Sequence, residues 1–230
     1  MRHTFEDLVA VMARLRGPDG CPWDREQTHA SLAPYLLEET HETLEAISRG
    51  DSAALRDELG DLLLQVVFHG QMAKETGAFD AGDVVDGLVR KLISRHPHVF
   101  GGTALGTPGE VLTQWHEIKR REAPQRGVFD GIPASLPALA RAQKIVERAA
   151  RQEEEKTEPD FRLALEGIRQ ALDAASADAA SAEQVPSELV EELLLSVVAL
   201  AQAAGVDAET TLRAACDRFL EKNALRGEQP

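Results

Sequence analysis

Residues 32–49, LAPYLLEETHETLEAISR, and residues 52–76, SAALRDELGDLLLQVVFHGQMAKET, decide the fold class of this chain. In both segments apolar residues recur at spacings of three and four, which is typical of an α-helix with one apolar face. Gly50 is suited to end the first segment, and Asp51 or Ser52 is suited to cap the second. The two segments therefore predict two consecutive helices separated by a short turn. The second is predicted to be a core helix through Leu55, Leu59, Leu62, Val66 and Phe68.

The rest of the chain has the same helical character. The aromatic content of the whole chain is only 4%. Ala, Leu, Glu, Arg and Gln, which lose little conformational entropy on entering a helix, are abundant. No segment shows the alternating pattern of a β-strand. The predicted fold class is therefore all-α. Further helices are predicted at about residues 4–16, 81–95, 108–122, 135–155, 160–175, 186–204 and 207–225. Residues 21–31, CPWDREQTHAS, are interpreted as a loop.

A chain of 230 residues has room for two small domains. Between the predicted helices at 108–122 and 135–155 lies the sequence APQRGVFDGIP, whose prolines and glycines are typical of a linker. We predict an N-terminal domain at residues 1–125, a linker at 126–134 and a C-terminal helical domain at 135–230.

Composition excludes several classes of protein. With 39 acidic and 25 basic residues the net charge is -14, which disfavours binding to nucleic acid or to an anionic membrane. No apolar run approaches the roughly 20 residues of a membrane span, and the N-terminus lacks the apolar core of a signal peptide. A cytoplasmic protein is expected. Cys21 and Cys216 indicate neither a disulfide framework nor a cysteine zinc site.

Carboxylates are concentrated on the two central predicted helices. Helical spacing places each set on one face. These residues are Glu38, Glu39 and Glu42 on the first helix, and Glu58 and Asp61 on the second. The simplest interpretation is a solvated acidic surface. If the two faces converge, however, each close pair repels by about 4 kcal/mol at an effective dielectric near 20, and only a cation or protons can offset this repulsion. An oxygen-only cluster favours Mg²⁺ or Mn²⁺ over zinc.

A pair of basic residues, Lys91 and Arg95, lies four positions apart near the end of another predicted helix. Alone, the pair is equally compatible with solvent-facing charges. Combined with a metal held by carboxylates, it suits the outer oxygens of a phosphate chain. A polyphosphate substrate is therefore predicted. The chain has no P-loop motif ending in Gly-Lys-Ser or Gly-Lys-Thr, so metal and side chains are expected to hold the phosphates.

Five segments, taken in their order along the chain, resemble the N-terminal signature of the MazG nucleotide pyrophosphohydrolases, members of the all-α NTP pyrophosphatase group. The segments are CPWDREQT at residues 21–28, EETHE at 38–42, ELGD at 58–61, KLISRHPHVF at 91–100 and QWHEIK at 114–119. The resemblance extends over essentially the whole chain, with the strong motifs in residues 5–122. It implies tandem four-helix-bundle domains that pair as a homodimer.

The resemblance also implies a reaction and roles for individual residues. The reaction is Mg²⁺-dependent hydrolysis of NTP or dNTP between the α and β phosphates, which releases a nucleoside monophosphate and pyrophosphate and removes damaged or surplus nucleotides. Mn²⁺ is expected to replace Mg²⁺. Trp23 is interpreted as structural. The implied roles are metal ligation by Glu39, Glu42, Glu58 and Asp61, water activation by Glu38, and substrate binding by Asp57, Lys91, Arg95 and Trp115.

The second half matches the same plan incompletely. Aligned on their apolar residues, the two halves place Gly167, Gln170 and Leu189 where three of the four metal ligands would stand. None of these side chains binds Mg²⁺ as a carboxylate does. We therefore predict a degenerate second domain that serves packing, dimerisation or control of access.

Two other functions remain open from the residues alone. One is a carboxylate-bridged di-iron protein, because Glu38 and His41 form one Glu-x-x-His motif. That class needs the motif twice, and no histidine accompanies Glu58 and Asp61 at the required spacing. The other is a non-catalytic acidic helical protein that binds metal or forms a dimeric interaction surface. Release of pyrophosphate from a nucleoside triphosphate in Mg²⁺ would distinguish the leading prediction from both.

Overall fold

The computed structural model describes residues 2–102, 105–125, 127–150, 162, 165–170, 172–173 and 186–227. In these residues all regular secondary structure is helical, which confirms the predicted all-α class. The chain divides into two compact units, residues 1–122 and 123–230. The division lies close to the predicted linker. That each unit is a MazG-like domain stays a prediction.

The helices of the first unit match the five predicted there. Two one-turn helices, α2 and α6, were not predicted, and the interpretation of residues 21–31 as a loop is wrong for α2. Both begin with a proline, whose fixed φ favours a first helical position, but each is too short to show a periodic apolar pattern. The bounds are α1 Phe5–Leu15, α2 Pro22–Glu26, α3 Ala33–Arg49, α4 Ser52–Glu75, α5 Ala81–Arg95, α6 Pro97–Phe100 and α7 Pro108–Glu122.

The turn between α3 and α4 consists of two residues. Gly50 ends α3 in the left-handed conformation, with φ of 66°, which glycine adopts without steric cost. The Asp51 side chain then caps α4 by accepting hydrogen bonds from the backbone N–H groups of Ala53 and Ala54, at 3.0 and 3.1 Å. So short a turn folds α4 back along α3, and these two helices pack extensively.

The core of the first unit lies between α1 and the C-terminal half of α4. Half-buried residues of α1, together with Leu64 of α4, surround a fully buried group. Apolar burial of this kind is the main stabilising contribution to the fold, at about 25 cal/mol per Å². The buried group consists of Met12, Leu32, Val67, Phe68 and Met72.

The apolar stripes of α3 and α4 lie differently from the prediction. Leu59 and Val66 were expected to make α4 a core helix together with Phe68, but only Phe68 is buried and the other two are exposed. On α3, Leu37 is 61% exposed and Ile47 is 56% exposed. The reason is that α3 turns its small and acidic face toward α4, burying residues such as Thr43 and Ala46 and leaving the apolar stripe outside.

The second unit contains α8 Ala138–Ala150, α9 Ser187–Ala203, α10 Ala208–Gly227 and a helical stretch at 165–170. The predicted helices at 186–204 and 207–225 are confirmed. The prediction at 135–155 is confirmed over α8, while residues 151–155 lie outside the described residues. Within the predicted helix at 160–175, the described residues 162, 165–170 and 172–173 are helical. Leu189 and Val198 of α9 are buried in this unit, together with Ala208 at the start of α10.

A glutamine on α8 ties α8 to the turn between α9 and α10. The amide nitrogen of Gln143 donates to the Gln202 side chain at 3.1 Å and to the Val206 carbonyl at 2.8 Å. Its amide oxygen accepts from the Ala208 backbone N–H at 2.7 Å. Polar groups that would otherwise be unsatisfied at a helix turn are thus paired within the unit.

Within the described residues, no single helix has the length and apolar content needed to cross a membrane. Taken together, Ser187–Ala203 and Ala208–Ala224 meet the criterion by length and composition, as a pair bent by 106°.

Candidate metal centre

Three carboxylates meet where the acidic face of α3 packs against α4. One oxygen atom from each of Glu39, Glu58 and Asp61 lies within 4.8 Å of the other two. Glu39 and Glu58 are half-buried and Asp61 is exposed, so the cluster is open to solvent on one side. Oxygen-only ligands in a partly open site fit a hard divalent cation that keeps some of its own water molecules.

Electrostatic repulsion places Glu42 in the same cluster. The pKa of Glu39 is raised, mainly by burial and then by the charges of Asp61, Glu42, Glu58 and Glu38. The pKa of Glu58 is raised by burial, by the charges of Glu42 and Asp61, and by a hydrogen bond with Glu42. Without a cation, Glu39 and Glu58 therefore take up protons more readily than isolated carboxyl groups do, and a bound cation would relieve the same repulsion.

Glu38 and Asp57 lie at the edge of this cluster. Glu38 is exposed, and its charge contributes to the raised pKa of Glu39. The carboxylate of Asp57 contributes in the same way to Glu58 and is paired with the adjacent Arg56 at 2.7 Å. Neither carboxylate is among the three whose oxygens meet.

The predicted phosphate-binding residues are grouped with α7. The guanidinium of Arg95, only 15% exposed, pairs with Glu122 at 2.6 Å and lies over the Trp115 ring at 5.8 Å from its centroid. Lys91 lies close enough to Glu122 to help lower the pKa of that carboxyl, although the hydrogen bond from Arg95 is the main cause.

Two features of this region were missed by the sequence analysis. Glu122 was not recognised as the partner of Arg95, because the two residues are 27 positions apart and only the packing of α5 on α7 brings them together. The indole N–H of Trp115 is buried without a hydrogen-bond partner among the described residues. Helical spacing contains no signal for either feature.

An all-α unit that gathers carboxylates from two packed helices has the donor set of a divalent-metal-binding protein. Residues 27–100 match the MazG nucleotide pyrophosphohydrolase domain. The nucleoside triphosphate pyrophosphohydrolase of Escherichia coli (strain K12) is 44% identical over 222 residues, which cover 94% of this chain and 84% of that protein. The nucleoside triphosphate pyrophosphohydrolase/pyrophosphatase MazG of Thermotoga maritima is 42% identical over 225 residues, covering 95% and 83%.

A shorter match has a similar level of identity. The nucleoside triphosphate pyrophosphohydrolase of Mycobacterium tuberculosis is 46% identical over 145 residues, which cover 62% of this chain and 44% of that protein. With the two near full-length matches, this similarity establishes the family. The chain belongs to the MazG family of nucleotide pyrophosphohydrolases.

Proposed function

We propose that this chain is a metal-dependent nucleoside triphosphate pyrophosphohydrolase. It cleaves NTP or dNTP between the α and β phosphates and releases a nucleoside monophosphate and pyrophosphate, a reaction suited to removing damaged or surplus nucleotides. The observation that carries the proposal is the convergence of Glu39, Glu58 and Asp61 within 4.8 Å on two packed helices, in a chain of this family.

The residues that would hold the metal are Glu39, Glu42, Glu58 and Asp61. Their donor set contains only oxygen, and the pKa values of Glu39 and Glu58 are raised by burial and by repulsion that a cation would relieve. We assign Mg²⁺ as the metal and expect Mn²⁺ to replace it. A bound Mg²⁺ supplies positive charge for the phosphate oxygens and lowers the pKa of a coordinated water.

Other side chains of the first unit act on water and substrate. Glu38 is exposed beside the cluster and is available to orient the attacking water and to take its proton. Asp57 borders the metal set. Lys91 and Arg95 hold phosphate oxygens through charge-assisted hydrogen bonds, and Trp115 contributes by supporting the Arg95 guanidinium on its ring. These roles require no covalent intermediate.

The protein is further proposed to act as a homodimer. Leu37, Leu44 and Ile47 form an exposed apolar stripe on α3, and Leu88 and Leu92 are exposed on α5. Apolar faces of this extent are costly to leave in water and typically mark interaction surfaces. An isologous contact between two copies would bury them, and no other protein or nucleic acid is needed. Because nucleoside triphosphates are made and used in the cytoplasm, we place the activity there.

The second unit is proposed to be a degenerate domain without its own metal site. Leu189, which aligns with an expected ligand, is buried in α9 as an apolar core residue. Gln170, aligned with another, donates a hydrogen bond to Glu166 at 3.3 Å. The second unit would then serve packing, dimerisation or control of access, while residues 1–122 hydrolyse.

The primary test is product analysis with a panel of nucleoside triphosphates. Pyrophosphate release is expected in Mg²⁺ or Mn²⁺ and is expected to disappear in chelator and in Glu39→Ala, because an under-coordinated metal is left. Glu45→Ala is the matched control, since Glu45 lies on the same helix and pairs with exposed Arg49 outside the cluster. Full activity in chelator would contradict the proposal. Metal binding without pyrophosphate release would support the non-catalytic alternative.

A second experiment tests whether the first unit is the one that hydrolyses nucleotide. A chain ending near residue 126 is expected to hydrolyse nucleotide, whereas the full-length Glu39→Ala protein is expected not to. If the full-length variant kept most of its activity, the second unit would be the catalytic one.

A further inference from the structure

Two exposed aromatic side chains meet at the surface of the first unit. Trp23 in α2 and Tyr35 in α3 contact each other edge to face, with ring centroids 6.0 Å apart and planes at 83°. Their residues are 49% and 40% exposed. The chain has only two tryptophans and one tyrosine, so this pair accounts for most of its large amphipathic aromatic rings. A solvent-exposed ring pair of this kind leaves π-faces available for a planar ligand.

The position of Tyr35 on α3 links the ring pair to the acidic cluster. At 3.6 residues per turn, Tyr35 lies about 40° from Glu39 and about 20° from Glu42 around the axis of α3. Along that axis, Tyr35 lies about one turn, or 6 Å, closer to the N-terminus of α3 than Glu39. The exposed apolar stripe that includes Leu37 and Leu44 lies about 160–180° away around the same helix. Tyr35 therefore belongs to the acidic face and not to the face assigned to the dimer.

A buried arginine fixes the segment that carries Trp23. Arg16, whose side chain is only 8% exposed, donates to the backbone carbonyls of Asp24 and Gln27. The same guanidinium pairs with both carboxylate oxygens of Glu75 at 2.8 Å. In addition, the Gln27 side chain donates to the Trp23 carbonyl at 3.0 Å. The backbone around Trp23 is thus held in place by hydrogen bonds, and ligand binding to the aromatic pair requires little further ordering of this segment.

We propose that Trp23 and Tyr35 form the surface on which the base of the nucleoside triphosphate stacks. The inference rests on the proposed function, because it requires the phosphates to bind at the carboxylates. A ribose separates the α-phosphate from the base, and this distance is comparable to the one helical turn between Tyr35 and Glu39. The interpretation of Trp23 as purely structural is then replaced by a role in substrate binding.

Stacking on aromatic rings predicts a broad base preference. Every base has a π-face, and stacking distinguishes bases far less than hydrogen bonds to base edges do. The ring pair therefore contributes affinity for purine and pyrimidine nucleotides alike, with larger bases gaining more contact area. It contributes nothing to the binding of a phosphate chain that carries no base.

Steady-state kinetics of Trp23→Leu and Tyr35→Leu provide the first test. KM for nucleoside triphosphates is expected to rise about 5- to 150-fold, as expected for the loss of one base-stacking ring, while kcat changes little. Trp23→Phe and Tyr35→Phe are expected to keep most of the affinity. Phe79→Leu, which alters an exposed aromatic ring between α4 and α5, is the matched control. Unchanged KM in both leucine variants would overturn the proposal.

A competitor without a base separates stacking from a general loss of structure. Inorganic tripolyphosphate should inhibit the wild type and both leucine variants with the same inhibition constant. If its inhibition weakened in parallel with nucleotide binding, Trp23 and Tyr35 would be acting on the phosphate site or on the fold, and the proposed stacking surface would be wrong.

Nuclear magnetic resonance gives a direct readout that does not depend on turnover. The two tryptophans give two indole N–H signals, and the one absent from Trp23→Phe belongs to Trp23. Saturating α,β-methylene nucleoside triphosphate with Mg²⁺ is expected to shift that signal, and tripolyphosphate is not. An unshifted signal in an enzyme that hydrolyses nucleotides would overturn the stacking surface alone. An enzyme that neither hydrolyses nucleotides nor binds the analogue would overturn the proposed function as well.

Discussion

Two arginines of the first unit occupy similar environments. Arg16 and Arg95 are both largely buried, and each pairs with a glutamate on a different helix and lies over an aromatic ring. Arg16 braces backbone carbonyls, which is a structural use of its five donors. Arg95 belongs to the proposed phosphate-binding group. Replacing Arg95 is therefore expected to change substrate binding, whereas removing the ion pair of Arg16 is expected to change the stability of the fold.

Replacement of Arg95 is expected to weaken substrate binding. Arg95→Ala removes a charge-assisted phosphate contact, and such contacts contribute about 1.5–3 kcal/mol, so KM for nucleotide should rise about 10-fold or more. Lys91→Ala should act in the same direction. Arg90→Ala is the matched control, because Arg90 lies on the same helix but pairs with Asp86 in solvent. Unchanged KM in both Arg95→Ala and Lys91→Ala would contradict the phosphate-binding role.

Glu75 links stability to pH through Arg16. Hydrogen bonds from Arg16 hold the pKa of Glu75 below its usual value. A carboxyl with a lowered folded-state pKa stabilises the protein above its unfolded-state pKa, and this stabilisation is lost as pH falls through the folded-state value. Because Glu75 is partly exposed, Glu75→Gln is expected to cost only about 1–2 kcal/mol of unfolding free energy at pH 7.

Urea unfolding at several pH values would measure this link. The difference in unfolding free energy between wild type and Glu75→Gln is expected to shrink below about pH 4, where Glu75 takes up its proton in the unfolded state before it does so in the folded state. Glu45→Gln is the control, since its exposed pair with Arg49 contributes less than about 1 kcal/mol. If the difference in unfolding free energy between wild type and Glu75→Gln stayed constant down to low pH, the charge of Glu75 would not be the cause of that difference.

At the scale of helices, α4 and α5 approach closely at one glycine. A β-carbon on Gly70 would lie 3.0 Å from the backbone nitrogen of Ala81 and 3.1 Å from its Cα and Cβ atoms. Ala81 is the first residue of α5, so Gly70 sets how near the start of α5 lies to α4. The orientation of α5, and with it the position of Lys91 and Arg95, depends on this contact.

Gly70→Val is therefore expected to destabilise the protein by about 1–3 kcal/mol, the usual cost of overpacking a close contact. Gly87→Ala, in the middle of α5, has open space around the new methyl group and is expected to stabilise by about 0.5–1 kcal/mol through helix propensity. Thermal unfolding of both variants would measure the two effects. A Gly70→Val protein as stable as the wild type would show that α5 can shift without cost.

How far the sequence predicts these elements depends on whether the signal is local. Helical spacing was enough to place each set of carboxylates on one face of its own helix, but it left open whether the two faces converge. The two-residue turn packs α4 against α3 and brings Glu39, Glu58 and Asp61 together. The pairing of Arg95 with Glu122 depends on how separate helices pack, and helical spacing does not determine that. Leu59 was predicted to be buried and is exposed for a related reason. An apolar stripe does not specify whether the surface that covers it belongs to the same chain or to another molecule.

At the scale of the whole molecule, the exposed apolar stripe of α3 predicts the assembly state. Leu37→Asp places a charge in the centre of the proposed dimer contact and is expected to convert the dimer to a monomer, because an unpaired charge is costly to bury. Val11→Asp is the control, since Val11 is the one exposed large apolar residue of α1, a helix described in full. A wild-type monomer by light scattering at micromolar concentration would contradict the dimer.

The turn at Gly50 and Asp51 also bears on how the protein folds. All four proposed metal ligands lie within one helical hairpin, so bringing them together requires closure of only a short loop, and such local contacts form early in folding. The carboxylates of α3 and α4 therefore come close together, and repel each other, before the more distant helices pack. Stopped-flow refolding is accordingly expected to accelerate with divalent cation and to slow in chelator, which would make the metal an aid to folding as well as to chemistry.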